Sequence, residues 1–134
     1  MREITDNGKM WAVLSYAGMF TGLPIGLVPL VLRDDPYAVE HAKHAVANFI
    51  AITVGASLIV AFMMPLTFCT MGFGALLLIP MLTPLIIWPI VTNLHGIVIV
   101  VNEEWDEPMG GFGLADFLFS GIQAKDPDII ELPA

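Results

Sequence analysis

Charge is what this sequence has least of. Only 13 % of its 134 residues are Asp, Glu, Lys or Arg, against about 25 % in ordinary soluble domains. A small domain has a large surface for its volume, so this little charge excludes a fold wetted on all sides. Cysteine is almost missing: the single Cys69 excludes an intrachain disulfide. Bases are few, five against thirteen acids, and form no patch for nucleic acid. Gly110-Gly111-Phe112-Gly113 lacks the Lys of a phosphate-binding loop. Ser15, Ser57 and Ser120 have no evident base and acid beside them, and no carboxylate lies between Glu40 and Glu103. Nucleophilic catalysis and a buried-carboxylate proton relay therefore have no residues to carry them. The chain reads as non-enzymatic, with no cofactor.

What is present is apolar, at 57 % of all residues. Met10–Leu32 carries no charge over 23 residues, and His44–Asn102 carries no formal charge over 59. A bilayer core of ~30 Å takes ~20 apolar residues as a helix. The first run fits one crossing and the second fits two. The first run is also too long for a signal-peptide core and has no small-residue cleavage motif after it, so it is read as retained.

The fold class predicted is an all-α integral membrane protein with about three transmembrane helices. A polar lead, 1–9, precedes a transmembrane helical domain, 10–102, and an acidic tail, 103–134. The first span is Met10–Leu32, interrupted by Pro24 and Pro29. The second starts at the polar junction Arg33–His44, where Asp35-Pro36 is a good helix start, and covers Ala38–Met64. Pro65–Gly74 reads as an uncharged hairpin. The third span, Ala75–Val101, is kinked by Pro80, Pro84 and Pro89, or split by them into a fourth membrane element. Met109–Gly113 reads as a turn. A short amphipathic helix, 114–122, carries Leu114, Phe117, Leu118 and Ile122 on one face, too short to cross and suited to the interface or to docking. Residues 124–134 read as an exposed tail. With three spans the Lys/Arg rule gives a tie, and a cytoplasmic N-terminus is adopted. The membrane expected is the bacterial inner membrane or one derived from it.

The junction Asp34-Asp35-Pro36-Tyr37-Ala38-Val39-Glu40-His41-Ala42-Lys43-His44-Ala45-Val46-Ala47-Asn48-Phe49 carries a family pattern: an acid and Pro, then His-Ala, then Asn-Phe. Over residues 10–105 the chain resembles a superfamily of small bacterial membrane proteins. That superfamily includes the Tic-type import component of the chloroplast inner envelope and MamF-type magnetosome membrane proteins. The resemblance marks Asp35, Pro36, His41, Asn48 and Phe49 as the motif residues. It implies a membrane-resident accessory, assembly or translocation role. The chain departs from the pattern after its last span, where Asn102-Glu103-Glu104-Trp105-Asp106-Glu107-Pro108 is acidic rather than basic.

Several residues are candidates for function. Gly18, Gly22 and Gly26 recur every four residues, a small-residue ridge through which helices pack closely in lipid. His41 and His44 share a helix face and, with His95, make weak metal or haem candidates; the plainer expectation has His41 bonding a backbone carbonyl or loop acid. Asn48 is expected to bond across to the third span. Trp11, Trp105, Tyr16 and Tyr37 suit an interfacial belt and Trp88 suits packing. Glu103, Glu104, Phe117 and Leu118 are expected to face a partner. The leading functional expectation is an accessory or scaffold subunit in contact with lipid and with other membrane subunits or itself, and not with nucleic acid. Rival expectations are a channel or translocation-path component, from the three prolines of the third span, and a haem or metal protein.

Overall fold

The computed structural model describes residues 4–106, 108 and 113–125. Within them the chain forms five helices: α1 Asp6–Thr21, α2 Leu27–Leu32, α3 Pro36–Cys69, α4 Gly74–Val101 and α5 Leu114–Phe119. The framework is the antiparallel pair α3 and α4, two long apolar helices joined by a tight turn at 70–73. The most apolar stretch of α3 has none of its residues buried, and that of α4 only 11 %. A soluble core helix would be covered. These two helices have the length and composition to cross a bilayer, and their bare apolar faces belong against lipid.

The polar groups of this hairpin are arranged for a solvent without hydrogen bonds. Every hydroxyl between residues 49 and 92 donates to a carbonyl one turn earlier in its own helix: Thr53 to Phe49, Ser57 to Thr53, Thr67 to Met63, Thr70 to Leu66, Thr83 to Ile79 and Thr92 to Trp88, all at 2.7–2.9 Å. Such back-bonding satisfies a hydroxyl where water cannot. The Asn93 side chain likewise donates to the Pro89 carbonyl at 2.7 Å. Despite Pro80, Pro84 and Pro89, α4 is one continuous helix, so the third apolar run is not split.

The first apolar run differs from the single span expected of it. α1 stops at Thr21, where Gly22 takes a left-handed conformation (φ 74°), and its amide bonds Met19 O while that of Leu23 bonds Gly18 O. This double bond pattern closes a helix end on glycine. Pro24 prevents resumption in the same direction. Further amide bonds, Ile25 to Leu23, Leu27 to Pro24 and Val28 to Ile25, carry the turn into α2. α2 then returns along α3, with Leu30 packed on Val39, Ala42 and Val46. The segment therefore ends where it began: the Thr5 hydroxyl donates to the Asp35 carboxylate. Sixteen residues of α1 span only ~24 Å.

The same geometry corrects the glycine ridge. Gly18 lies in α1, Gly22 closes it and Gly26 lies beyond the turn, so no single helix carries the three. Gly26 does bring segments together: a methyl there would sit 2.9 Å from Val46 Cγ2 and 3.3 Å from the Ala42 carbonyl oxygen. The lead 1–9 is also shorter than expected, since α1 begins at Asp6. Within the expected helix 114–122 the helical part is Leu114–Phe119, and Phe119, Ile122 and Ala124 pack beside Leu30 and Val39. The expected Met109–Gly113 turn and 124–134 tail lie mostly outside the described residues.

Asp35 is the joint of this end of the molecule. One carboxylate oxygen accepts from the Ala38 amide at 3.0 Å, capping α3, and the other accepts from Thr5. Loss of a helix cap costs about 1 kcal/mol, and loss of the tie to Thr5 adds to it. Asp35→Ala is expected to lower stability by ~1–2 kcal/mol in detergent denaturation, with Asp35→Asn losing less than half of that. Equal stability for Asp35→Ala and wild type would remove this joint from the account.

Candidate functional site

The polar residues gather at the end of the hairpin where α3 begins and α4 ends. α3 opens with the motif residues: Asp35 as cap, Pro36 in the first turn, then Tyr37 and His41 one turn apart on the face toward α1. Tyr16 of α1 meets them, its hydroxyl 3.1 Å from His41 Nδ1. The rings form a chain. Tyr37 lies edge-on to His41 at 4.5 Å between centroids, Trp105 edge-on to Tyr37 at 5.0 Å, and Tyr16 edge-on to His41 at 5.9 Å. Edge-to-face pairs at these separations are attractive beyond the area they bury. The Tyr37 hydroxyl donates to the Glu104 carbonyl at 3.0 Å, which ties the segment after α4 to α3.

The Glu104 backbone acts on the His41 ring, in line with the expected carbonyl partner, and the ring also meets Tyr16, 25 residues earlier. Tyr16 and Tyr37 are buried, at 0 % and 1 % exposure, which corrects their expected place in an interfacial belt. Tyr16 is seated by Gly96 of α4, where an added methyl would lie 2.6 Å from its ring carbons. Sequence reasoning missed both residues. The available signal was weak: a tyrosine inside an apolar run and a glycine beside His95, with nothing linking positions 80 residues apart.

Ionic groups flank this core. The Lys9 ammonium bonds the Glu103 carboxylate at 2.9 Å, joining the start of α1 to the end of α4. On α3 the Glu40 carboxylate receives Lys43 at 2.9 Å and stands 3.9 Å from His44 Nε2. Lys125 approaches Asp34 at 3.8 Å, and its amide donates to the Arg33 carbonyl at 2.9 Å. The exposed pairs, Lys9–Glu103 and Lys125–Asp34, contribute about 0–1 kcal/mol each, so they orient the ends more than they stabilise them, whereas Lys43 and His44 are buried beside Glu40.

Other candidates are placed as follows. His41 and His44 share the α3 face, His95 lies on α4 one residue from Gly96, and no group of three or more His, Cys, Asp or Glu suited to a metal occurs among the described residues. Asn48 is buried, but its Nδ2 has no hydrogen-bond partner among the described residues. A polar side-chain contact from α4 to another helix is made instead by Asn93, whose amide approaches Met19 Sδ of α1 at 2.9 Å. Phe49, next to Asn48, is half-buried in α3. Glu103 and Glu104 are exposed at the exit from α4, and Phe117 and Leu118 project from α5, Phe117 at 81 % exposure. Trp88 is partly exposed on α4.

A lipid-facing helical hairpin, held at one end by a buried Tyr–His–Tyr cluster edged by Trp105 and by a doubled-back first segment, defines a small helical membrane protein. The chain belongs to the magnetosome magnetite crystal formation protein family (MamF_MmsF), whose model matches residues 7–111. The match covers α2 to α4 and the aromatic chain whole, and α1 from its second residue on. It falls on the magnetosome branch of the resemblance carried by Asp35–Phe49; the Tic-type label rests on that motif alone. Comparison with curated proteins and with solved structures gave no match.

The Tyr16–Gly96 contact makes a sharp test of the packing. Tyr16→Phe removes one buried hydrogen bond and is expected to cost ~1 kcal/mol. Gly96→Ala forces the ring to move and is expected to cost more, ~1–3 kcal/mol. Tyr16→Leu with Gly96→Ala should destabilise less than the two single changes added together, because the leucine vacates the space the methyl needs. Simple additivity in mixed-micelle unfolding would separate the two positions.

Proposed function

We propose that this chain is a non-enzymatic scaffold of the magnetosome membrane, acting in magnetite crystal formation by assembling with other membrane subunits or itself. The family match over residues 7–111 is the observation that carries this reading. The architecture supports it. α3 and α4 are the membrane anchor, and the end that gathers Asp35, His41, Glu103 and α5 is built from fixed contacts between four segments. Rigid placement of side chains is what a scaffold requires. In this reading Phe117 and Leu118 are the apolar contacts to a partner and Glu103 and Glu104 the charged rim around them.

Deletion of the corresponding gene in a magnetite-forming cell is expected to give smaller or malformed crystals, restored by the intact chain. Phe117→Ser with Leu118→Ser should reproduce the deletion while the protein stays in the membrane at its normal level, since both side chains are exposed. Crystals of normal size and shape in the deletion strain would refute the role. Normal crystals with the double substitution alone would instead remove α5 as the contact.

A further inference from the structure

The first apolar run goes into the molecule and comes back on the same side, and this sets the topology of everything else. We propose that the chain crosses its membrane twice, with the start of α1, the Arg33–His44 junction, residues 103–106 and residues 113–125 all on the cytoplasmic face. Only the uncharged turn between α3 and α4 reaches the far compartment.

Three observations carry this. First, residues 5 and 35, which bracket the segment, are hydrogen-bonded to each other, so α1 and α2 form a loop that returns to its own start. Neither helix is long enough to cross: α1 has 16 residues and α2 six, ~24 Å and ~9 Å against a ~30 Å core. Irregular backbone at membrane depth is tolerated when its polar groups are satisfied and covered. Here the amides of Gly22, Leu23, Ile25, Leu27 and Val28 are all bonded within the turn, and Gly26 lies against α3.

Second, the α4 exit meets the same end. Lys9 pairs with Glu103, and Tyr37 bonds the Glu104 carbonyl. An even number of crossings follows for α3 and α4, and with it a shared side for the segments before and after them.

Third, the charges are one-sided. Lys9, Arg33, Lys43 and Lys125 lie at this end, whereas residues 45–102 contain no Lys, Arg, Asp or Glu. The tie in the Lys/Arg count existed only because three spans would place Arg33 and Lys43 opposite Arg2 and Lys9. With two crossings it becomes five bases to none. Short basic flanks stay cytoplasmic, while acidic residues have little say in orientation. A turn such as Thr70-Met71-Gly72-Phe73, with no charge to desolvate, is the easier one to pass through the membrane.

The acidic exit Glu103, Glu104 and Asp106 then faces the cytosol, and only the turn faces the far compartment. This placement does not depend on the role in crystal formation, since its test reads topology alone.

The native Cys69, exposed at the turn, is one probe. In a Cys69→Ser background, Asn7→Cys, Asp34→Cys and Ser120→Cys each add a single exposed thiol. Each full-length protein, expressed in a bacterial inner membrane, is treated with a membrane-impermeant maleimide in right-side-out and inside-out vesicles. Cys69 is expected to label in right-side-out vesicles only, and the other three in inside-out vesicles only. Asn7→Cys and Asp34→Cys labelling from opposite faces would restore a crossing by the first segment and overturn the proposal. The three labelling together from the outside would overturn the orientation. Failure of Cys69 to label from either face, repeated with Thr70→Cys, would overturn the second crossing.

Discussion

Hydrogen bonding without water is the constraint on which this structure rests. A polar group in hydrocarbon that lacks a partner costs several kcal/mol, more than any one contact in a protein this small returns. The hairpin meets the constraint by turning its hydroxyls back onto its own carbonyls. The first segment meets it by closing α1 on Gly22 and bonding the amides of the turn locally. Once both are satisfied internally, apolar side chains can face outward along most of α3 and α4, and covering them from within is not required.

What remains is to fix the helices relative to each other, because lipid supplies no hydrophobic force between them. Close backbone approach and a few polar contacts do this, and they concentrate at one end. Gly96 admits the Tyr16 ring, Gly26 admits the flank of α3, and Gly8 sits against the Asp35 carboxylate. Tyr16 binds His41, Tyr37 binds the Glu104 carbonyl, and Asp35 binds Thr5 while capping α3. Below Pro89 the hairpin holds itself by α3 against α4 alone, with Leu85 on Gly55. The foot of α1 ends above an apolar groove of about 400 Å³ lined by Met19, Phe20, Ile52 and Pro89.

Family membership and geometry address different levels. The match over residues 7–111 connects the chain to magnetite crystal formation, while the fold identifies the parts available for it: an anchor, a rigid polar end and a short helix with exposed Phe117 and Leu118. The motif residues Asp35, Pro36 and His41 turn out to be architectural. Each stabilises the junction where α3 begins, through a cap, a first-turn proline and a bond to α1.

The sequence by itself determined the solvent and the helix type. Long uncharged runs and 13 % charge admit only a bilayer, and in a bilayer an open chain of this composition must be helical. It determined the α3 start as well, since Asp35-Pro36 acts through neighbours one turn away and such local chemistry is legible from order alone. Only the tertiary structure decided the path of residues 10–32. Gly18, Gly22 and Gly26 read equally as a ridge on one helix or as the bend between two, because spacing is the same in both and the outcome turns on whether α3 offers Ala42 and Val46 to receive the returning arm. The Tyr16–His41–Gly96 contact was hidden for the same reason: its partners are 25 and 80 positions apart, and no local pattern encodes which face of one helix will meet another.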